Sequence, residues 1–252
     1  MRSDFLLSAT PASLFYSQPD GLRAFLLRQT DSTNRVAKTL SRKVDSAFVV
    51  TADYQTQGRG TKGRRFYSPD ESGLYCSYCF TIPNERLLSI TPRAAVAAAR
   101  AVSDFGFTPR IKWVNDILIE KRKIAGILTE SVVQENRATV IIGIGINLYP
   151  ARELPKELAD IYGTVWQTKE EADRQGMLNR LTRYMLQYVE RGEPFITPYR
   201  QYSAVIGKPI EYLRDGVWHA AVAQEILPDG RLLVQSGGRT DYLLSEEIRF
   251  RQ

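Results

Sequence analysis

Sixteen residues, Asp53 to Ser68 (D-Y-Q-T-Q-G-R-G-T-K-G-R-R-F-Y-S), carry the densest chemistry in this 252-residue chain. Three glycines (Gly58, Gly60, Gly63) are interleaved with four cations (Arg59, Lys62, Arg64, Arg65), and two aromatics, Phe66 and Tyr67, follow. Glycine lets the backbone approach a ligand with bare N–H groups, and fixed cations beside it suit an anion. The stretch is neither standard nucleotide fingerprint. It lacks the Gly-Lys-Ser/Thr ending of a P-loop, and no apolar helical pattern follows as a dinucleotide-binding turn requires. A solvated basic hairpin loop accounts for the charge alone. The aromatics behind the cations and the polar run ahead of them favour a site for a phosphate and a base.

Three other stretches hold candidate chemistry. In Lys112-Trp113-Val114-Asn115-Asp116, the lysine and the aspartate lie four apart. In a regular strand they share one face, with Trp113 on the other; a solvent-facing lysine followed by a turn is the plainer account. Ala138 to Leu148 places Gly143 and Gly145 at alternate positions. That bare stripe admits a flat ligand or another backbone, and tight packing of a helix accounts for it equally well. Asp31, Ser32 and Thr33 precede a short helical pattern, Val36 to Leu40. Taken alone, that run is better explained by helix capping than by a pocket at the helix N-terminus.

Composition narrows the mechanism. Lys+Arg 34 against Asp+Glu 28 is a mild excess, compatible with anionic partners. The single histidine, His219, sits in an apolar strand-like run and is read as structural, which excludes a Ser-His-Asp relay and a histidine-rich metal site. Cys76 and Cys79 lie three apart in a strand-like run, point to opposite faces, and are read as buried free thiols. No run approaches the ~18 apolar residues of a membrane span. Asp4 near the N-terminus, with no apolar core around it, speaks against a leader. Catalysis must then rest on cations, carboxylates, backbone N–H groups and positioning.

The elements that would position these residues are mostly strands. Runs at 21–28, 47–52, 73–82, 109–113, 124–133 and 138–148 read as strands, with a charged hairpin turn at Glu120 to Lys123. Helices are expected at 36–40, 92–102 and across 151–193, where Leu178, Leu181, Met185, Tyr188 and Val189 recur at helical spacing. Residues 195–204 read as a connector. Strands at 209–213, 217–226, 232–236 and 241–249, separated by Asp-Gly and Gly-Gly turns, predict a small antiparallel β-barrel.

Five motifs in order resemble the biotin protein ligases: Ser32-Thr33-Asn34; Gln55 to Arg64; Lys112 to Asp116; Lys123-Ile124-Ala125-Gly126-Ile127-Leu128; and Gly143-Ile144-Gly145-Ile146-Asn147. The resemblance covers nearly the whole chain. It implies an α/β (α+β) fold: a mixed-sheet catalytic domain of the biotin/lipoate ligase type (residues 1–198) and a small C-terminal Src-homology-3-like β-barrel (199–252). It also implies that biotin and ATP, with Mg²⁺, give biotinyl-5′-AMP and pyrophosphate. The biotin then passes to a lysine of the biotin carboxyl carrier domain of a carboxylase.

Attack of a carboxylate on an α-phosphate brings two anions together, and cations must screen them. Arg59, Lys112 and Lys123 can do that catalytic work, and the resemblance adds Asp116 to the catalytic set, near the incoming lysine, where a carboxylate accepts its proton or orients it. It assigns biotin and its adenylate to Ser32, Thr33, Asn34, Gln55, Gly58, Arg59, Gly60, Thr61, Lys123, Gly126, Gly143 and Gly145. Arg64, Phe66, Asn115 and Asn147 would serve ATP and its adenine, and no protein side chain would hold a metal. Two positions depart from the family pattern: Val114 stands where many members carry proline, and Thr61 where many carry a basic residue.

About thirty residues precede Ser32, too few for the DNA-reading helix-turn-helix domain of some relatives plus an entry strand. The expectation is therefore a cytoplasmic ligase with no specific DNA binding and no membrane contact, a homodimer being left open. A lipoate or octanoate ligase of the same fold is the nearest rival, and a basic nucleic-acid-binding module the rival from another class.

Overall fold

A computed structural model describes residues 16–17 and 21–251. The expectations that rest on the first fifteen residues, no leader at Asp4 and no preceding DNA-binding domain, lie outside the described residues.

Eight strands form one mixed sheet: β1 (Tyr16–Ser17), β2 (Arg23–Thr30), β3 (Phe48–Gln55), β4 (Gly73–Pro83), β5 (Pro109–Lys112), β6 (Asp116–Ile119), β7 (Arg122–Val133) and β8 (Arg137–Asn147). Their order is β1-β2-β3-β4-β8-β7-β6-β5, and only β2 and β3 pair in parallel. Four helices accompany the strands: α1 (Thr33–Leu40), α2 (Ile90–Ser103), α3 (Arg174–Met185) and α4 (Ile196–Tyr202).

The period-2 alternation of β3 and β4 decides which helix covers which face. Val49, Cys76, Tyr78 and Phe80 join α2 and α3 in the main core. Phe48, Val50 and Cys79 turn the other way and pack with Ala37 of α1 and Ile141. The two thiols are thus free, buried and on opposite faces, as their spacing requires. α2 is alanine-rich and fully buried from Ala94 to Ala99, so it packs close to its neighbours.

Five further strands form a second, antiparallel sheet: β9 (Pro209–Arg214), β10 (Val217–Ile226), β11 (Leu232–Ser236), β12 (Arg239–Leu243) and β13 (Glu247–Phe250). Its order is β12-β11-β10-β9-β13. Arg214 of β9 pairs with Asp241 of β12, and Tyr212 Oη donates to the same carboxylate at 3.3 Å. In a flat sheet those strands would lie about 14 Å apart, three strand spacings. The sheet therefore curls strongly, as the expected barrel demands.

Several elements differ from expectation. Helix does not fill 151–193. Among residues 151–173 only Lys156–Leu158 makes a 3₁₀ turn, and regular helix begins at Arg174, then runs on as a π-helical turn at Leu186–Glu190. The chain there, with Pro155 and Gly163, gives its backbone bonds to the large sheet instead: Lys123 N–H donates to Ile161 O at 2.7 Å, and Gly163 N–H to Lys123 O at 2.9 Å. The five apolar residues read as core-facing are all buried. Residues 196–202, read as connector, are α4, whose first turn tolerates Pro198 because its missing N–H has no helical acceptor there. The run 241–249 is two strands, broken where Glu246 folds back to accept the backbone N–H groups of Leu244 and Ser245 at 2.7 and 3.0 Å. The charged turn is only Glu120 and Lys121, Glu120 at φ +56°, so Lys123 lies inside β7.

Candidate active site

The bare stripe of β8 sets the axis of a cavity of about 420 Å³ on the α1 face of the large sheet. A methyl at Gly143 would overlap Asn34 Oδ1, and one at Gly145 would overlap the Phe66 ring. Two of the chain's own side chains, Asn34 and Phe66, thus lie against the stripe. Phe66 lies as a flat platform over Gly145 and its cross-strand partner Gly126, 3.1 Å from where a Gly126 methyl would sit. From Gly143 to Asn147 the strand advances about 13 Å.

At the Gly143 end the groups are neutral and buried. Ser32, Thr33 and Asn34 are each at most 3% exposed. Ser32 occupies the N-cap position of α1 but makes no side-chain cap bond, so the capping account of this run fails. Thr33 instead donates its N–H and its hydroxyl to Gln55 Oε1 at 2.8 and 3.1 Å. Ser77, fully buried on β4, lies 2.7 Å from Thr33 Oγ1 and 2.6 Å from Asn34 Oδ1. The Asn34 amide donates to Glu130 Oε2 at 2.9 Å. Gln55 Nε2 donates to Ser68 Oγ at 2.9 Å, which ties this end to the root of the glycine-arginine loop.

At the other end the groups are charged. Lys112 and Asp116 do sit side by side, but as register partners across the β5–β6 hairpin and not along one strand. Asp116 is ion-paired with Lys123 at 2.6 Å. Lys112 is half-buried and, among the described residues, its ammonium has no hydrogen bond or ion pair. Burial pushes its pKa below the ordinary lysine value; Asp116 opposes that shift and Lys123 adds to it. Arg59 likewise has no side-chain partner among the described residues. In the loop itself Lys62, at φ +57°, and Arg64 both reach Glu247 of β13, at 3.6 and 3.2 Å.

Every residue that the resemblance assigns to the site lines this cavity except Gly58; Lys62 and Gly63 of the same loop do not line it either. Gly58 acts one layer back: a side chain there would overlap Phe66 O and Ser68 Oγ, so glycine lets the loop fold on itself. Asn115 and Asn147 line the wall, yet their amide N–H groups are committed. Asn115 donates to Ile127 O at 3.1 Å, and Asn147 donates to Lys123 O and Gly163 O at 3.3 and 3.0 Å. That leaves a ligand the Asn147 carbonyl oxygen, and of Asn115 the carbonyl oxygen and one N–H. His219 lies off the cavity, exposed and stacked on Tyr212. The sequence reading missed Ser77 and Glu130, which sit in unremarkable strands. It also missed Leu158, Ile161 and Tyr162, which it placed in a helix. Strand alternation alone could have found Ser77, which faces away from Cys76 and Tyr78.

A profile of the biotin/lipoate A/B protein ligase family matches residues 26–147. The chain is 37% identical over 157 residues to the bifunctional ligase/repressor BirA of Bacillus subtilis, an alignment covering 60% of this chain and 48% of that one, so the match spans about half the length of that relative. It is 28% identical over 232 residues to the biotin–[acetyl-CoA-carboxylase] ligase of Mycobacterium tuberculosis, covering 85% and 84% of the two chains. The fold matches that of a biotin protein ligase from Aquifex aeolicus solved with biotin and ATP, at a TM-score of 0.73 and 23% identity over 90% of this chain and 99% of that one.

Proposed function

We propose that this chain, which belongs to the biotin/lipoate A/B protein ligase family through residues 26–147, is an ATP-dependent biotin–protein ligase. The observation that carries the choice of biotin is the surplus of acceptors at the Gly143 end. Two hydroxyl hydrogens, from Thr33 and Ser77, serve three close oxygen contacts at 2.7, 2.6 and 3.1 Å. A buried acceptor without a donor is costly, so a ligand that brings N–H groups gains most there. The cyclic urea of biotin has two N–H groups; the dithiolane of lipoate and the tail of octanoate have none.

The cationic end fits the rest of the reaction. The biotin carboxylate and the α-phosphate of ATP repel each other, and Arg59, Lys112 and Lys123 offset that repulsion and hold the attack geometry. Phe66 offers its outer face to the adenine, with Arg64 beside it. Asp116 orients Lys123 in the free enzyme, and in the second step accepts or directs the proton of the incoming lysine of a carboxyl carrier domain. Mg²⁺ would arrive as part of the nucleotide substrate, on its phosphates. We assign this chemistry to residues 1–198 and the curled sheet to a second domain, 199–252. The test is pyrophosphate release with ATP and, separately, biotin, lipoate or octanoate. Release with biotin alone is expected; equal release with lipoate sinks the assignment.

A further inference from the structure

We infer that Glu130 is a positioning residue for ligand recognition: by accepting the Asn34 amide, it turns the Asn34 carbonyl toward Ser77 and the cavity, so that this end selects a ligand bearing hydrogen-bond donors. The inference rests on the reading of the cavity as a biotin site and names what sets its specificity.

The two ends of an asparagine amide are nearly the same shape, so its orientation follows from the chemistry of its partners. Asn34 is 3% exposed and has three neighbours at its amide end. Glu130 Oε2 lies 2.9 Å and Leu128 O 3.4 Å from Nδ2, while Ser77 Oγ lies 2.6 Å from Oδ1. An ionised carboxylate only accepts, and so does a backbone carbonyl. Together they leave the N–H groups one place to go. Turned over, the amide would face two acceptors with its oxygen and present two N–H groups to Ser77. The cavity end would then be rich in donors and would suit a ligand carbonyl without N–H groups. Glu130, the nearer and the charged of the two acceptors, therefore contributes most to the hydrogen-bond polarity of a pocket it does not line. Its other oxygen lies 3.7 Å from Lys38 Nζ on the next turn of α1, an exposed pair outside the cavity.

The test compares Glu130→Met, which keeps length but removes the acceptor, with Glu130→Gln, whose carbonyl oxygen can still accept, and with Lys38→Met as a control for the outer ion pair. Steady-state pyrophosphate release gives KM for biotin and for ATP separately. Losing a buried hydrogen bond to a charged group predicts a rise of about tenfold in biotin KM for Glu130→Met, against about threefold or less for Glu130→Gln. The KM for ATP, the melting temperature and Lys38→Met should stay near wild type. Unchanged biotin KM in Glu130→Met overturns the inference. So does a parallel loss in both KM values and in melting temperature, which would mark a merely structural carboxylate. A wild type that releases no pyrophosphate with biotin overturns the reading of function instead. Exchange of the Asn34 side-chain amide hydrogens in the ligand-free protein then decides the inference by itself. Slow exchange in the wild type and Glu130→Gln with fast exchange in Glu130→Met supports it, and equal exchange in all three defeats it.

Discussion

Lys112→Met should make the free protein more stable and nearly inactive. Lys112 is half-buried and makes no hydrogen bond or ion pair among the described residues; Lys123 and Arg64 add like charge near it, offset only in part by Asp116 and Glu247. Partly burying a charge that no direct ion pair compensates costs free energy that a methionine of similar length does not. Because the side chain still lines an open cavity, the gain should be modest, about 1 kcal/mol, at the low end of what such replacements give. For a chain of this size that is roughly 2–4 °C in Tm. The pH dependence has a definite sign. The folded-state pKa is lowered, so between that value and the ordinary lysine pKa the unfolded chain binds more protons, and wild-type stability rises with pH. The advantage of the methionine variant should thus be full at neutral pH and shrink to nothing in strong alkali. Adenylation should fall by about 100-fold, ~3 kcal/mol of lost transition-state stabilisation. Thermal melts at neutral and alkaline pH, with single-turnover pyrophosphate release, measure both effects. A variant that melts below wild type at neutral pH, or that reacts at the wild-type rate, refutes the view of Lys112 as a strained charge kept for an anion.

Lys123→Ala should also fold and adenylate about 100-fold more slowly, since it removes a cation beside the reacting carboxylate and leaves Asp116 unpaired; a folded mutant near wild-type rate would reduce Lys123 to a strand lysine. Thr61→Arg should slow the release of the adenylate, and Lys62→Ala should hasten it, each by about tenfold or more, as one shielded charge contact implies. Retention of radiolabelled adenylate without acceptor measures this, and two unchanged release rates would remove the loop from that role. Gly145→Ala should raise KM for ATP about tenfold while sparing KM for biotin, because the new methyl overlaps the Phe66 ring and lifts the stacking platform by its ~1–3 kcal/mol; an unchanged KM for ATP would mean the ring does not meet the nucleotide.

The chemistry of this chain was legible wherever one short stretch held it. The glycine-arginine loop, the Lys112–Asp116 hairpin and the glycine stripe announce themselves because cations, glycines and aromatics are rarely interleaved without cause. Lys112 and Asp116 were read as neighbours, though along a strand; the hairpin brings them together because a tight turn pairs its two flanking residues. Illegible were residues whose role depends on what lies opposite. Ser77 sits between two cysteines in an apolar run, and only the packing of α1 against that face gives it Thr33 and Asn34 as partners. Glu130 reads as a solvated strand residue until Asn34 arrives from 96 positions away. Residues 151–173 read as helix together with the periodic run, Leu178 to Val189, that follows them. Their backbone groups are instead satisfied by β7 and β8, a tertiary partner that local propensity cannot reveal.

The second sheet and the chain that leads into it bear on the site at both the hairpin and the loop. Trp113 Nε1 donates to Gly230 O at 3.1 Å, in the turn between β10 and β11, and Ala204 N–H donates to Ile111 O at 2.8 Å. Both grip the hairpin strand that carries Lys112. Glu247 then holds Lys62 and Arg64, so the glycine-arginine loop is tied to β13 as well as to its own sheet. The apolar interior runs unbroken between the sheets: Ile111 and Trp113 share one core with Ile210, Leu232 and Val234. Exposed ion pairs of this kind are individually weak, about 0–1 kcal/mol. A phosphate bound at the loop can therefore draw Lys62 and Arg64 from Glu247 at little cost, while the buried contacts to the hairpin stay in place. The large sheet fixes the neutral end of the cavity, and the curled sheet braces the charged end through Trp113 and Glu247.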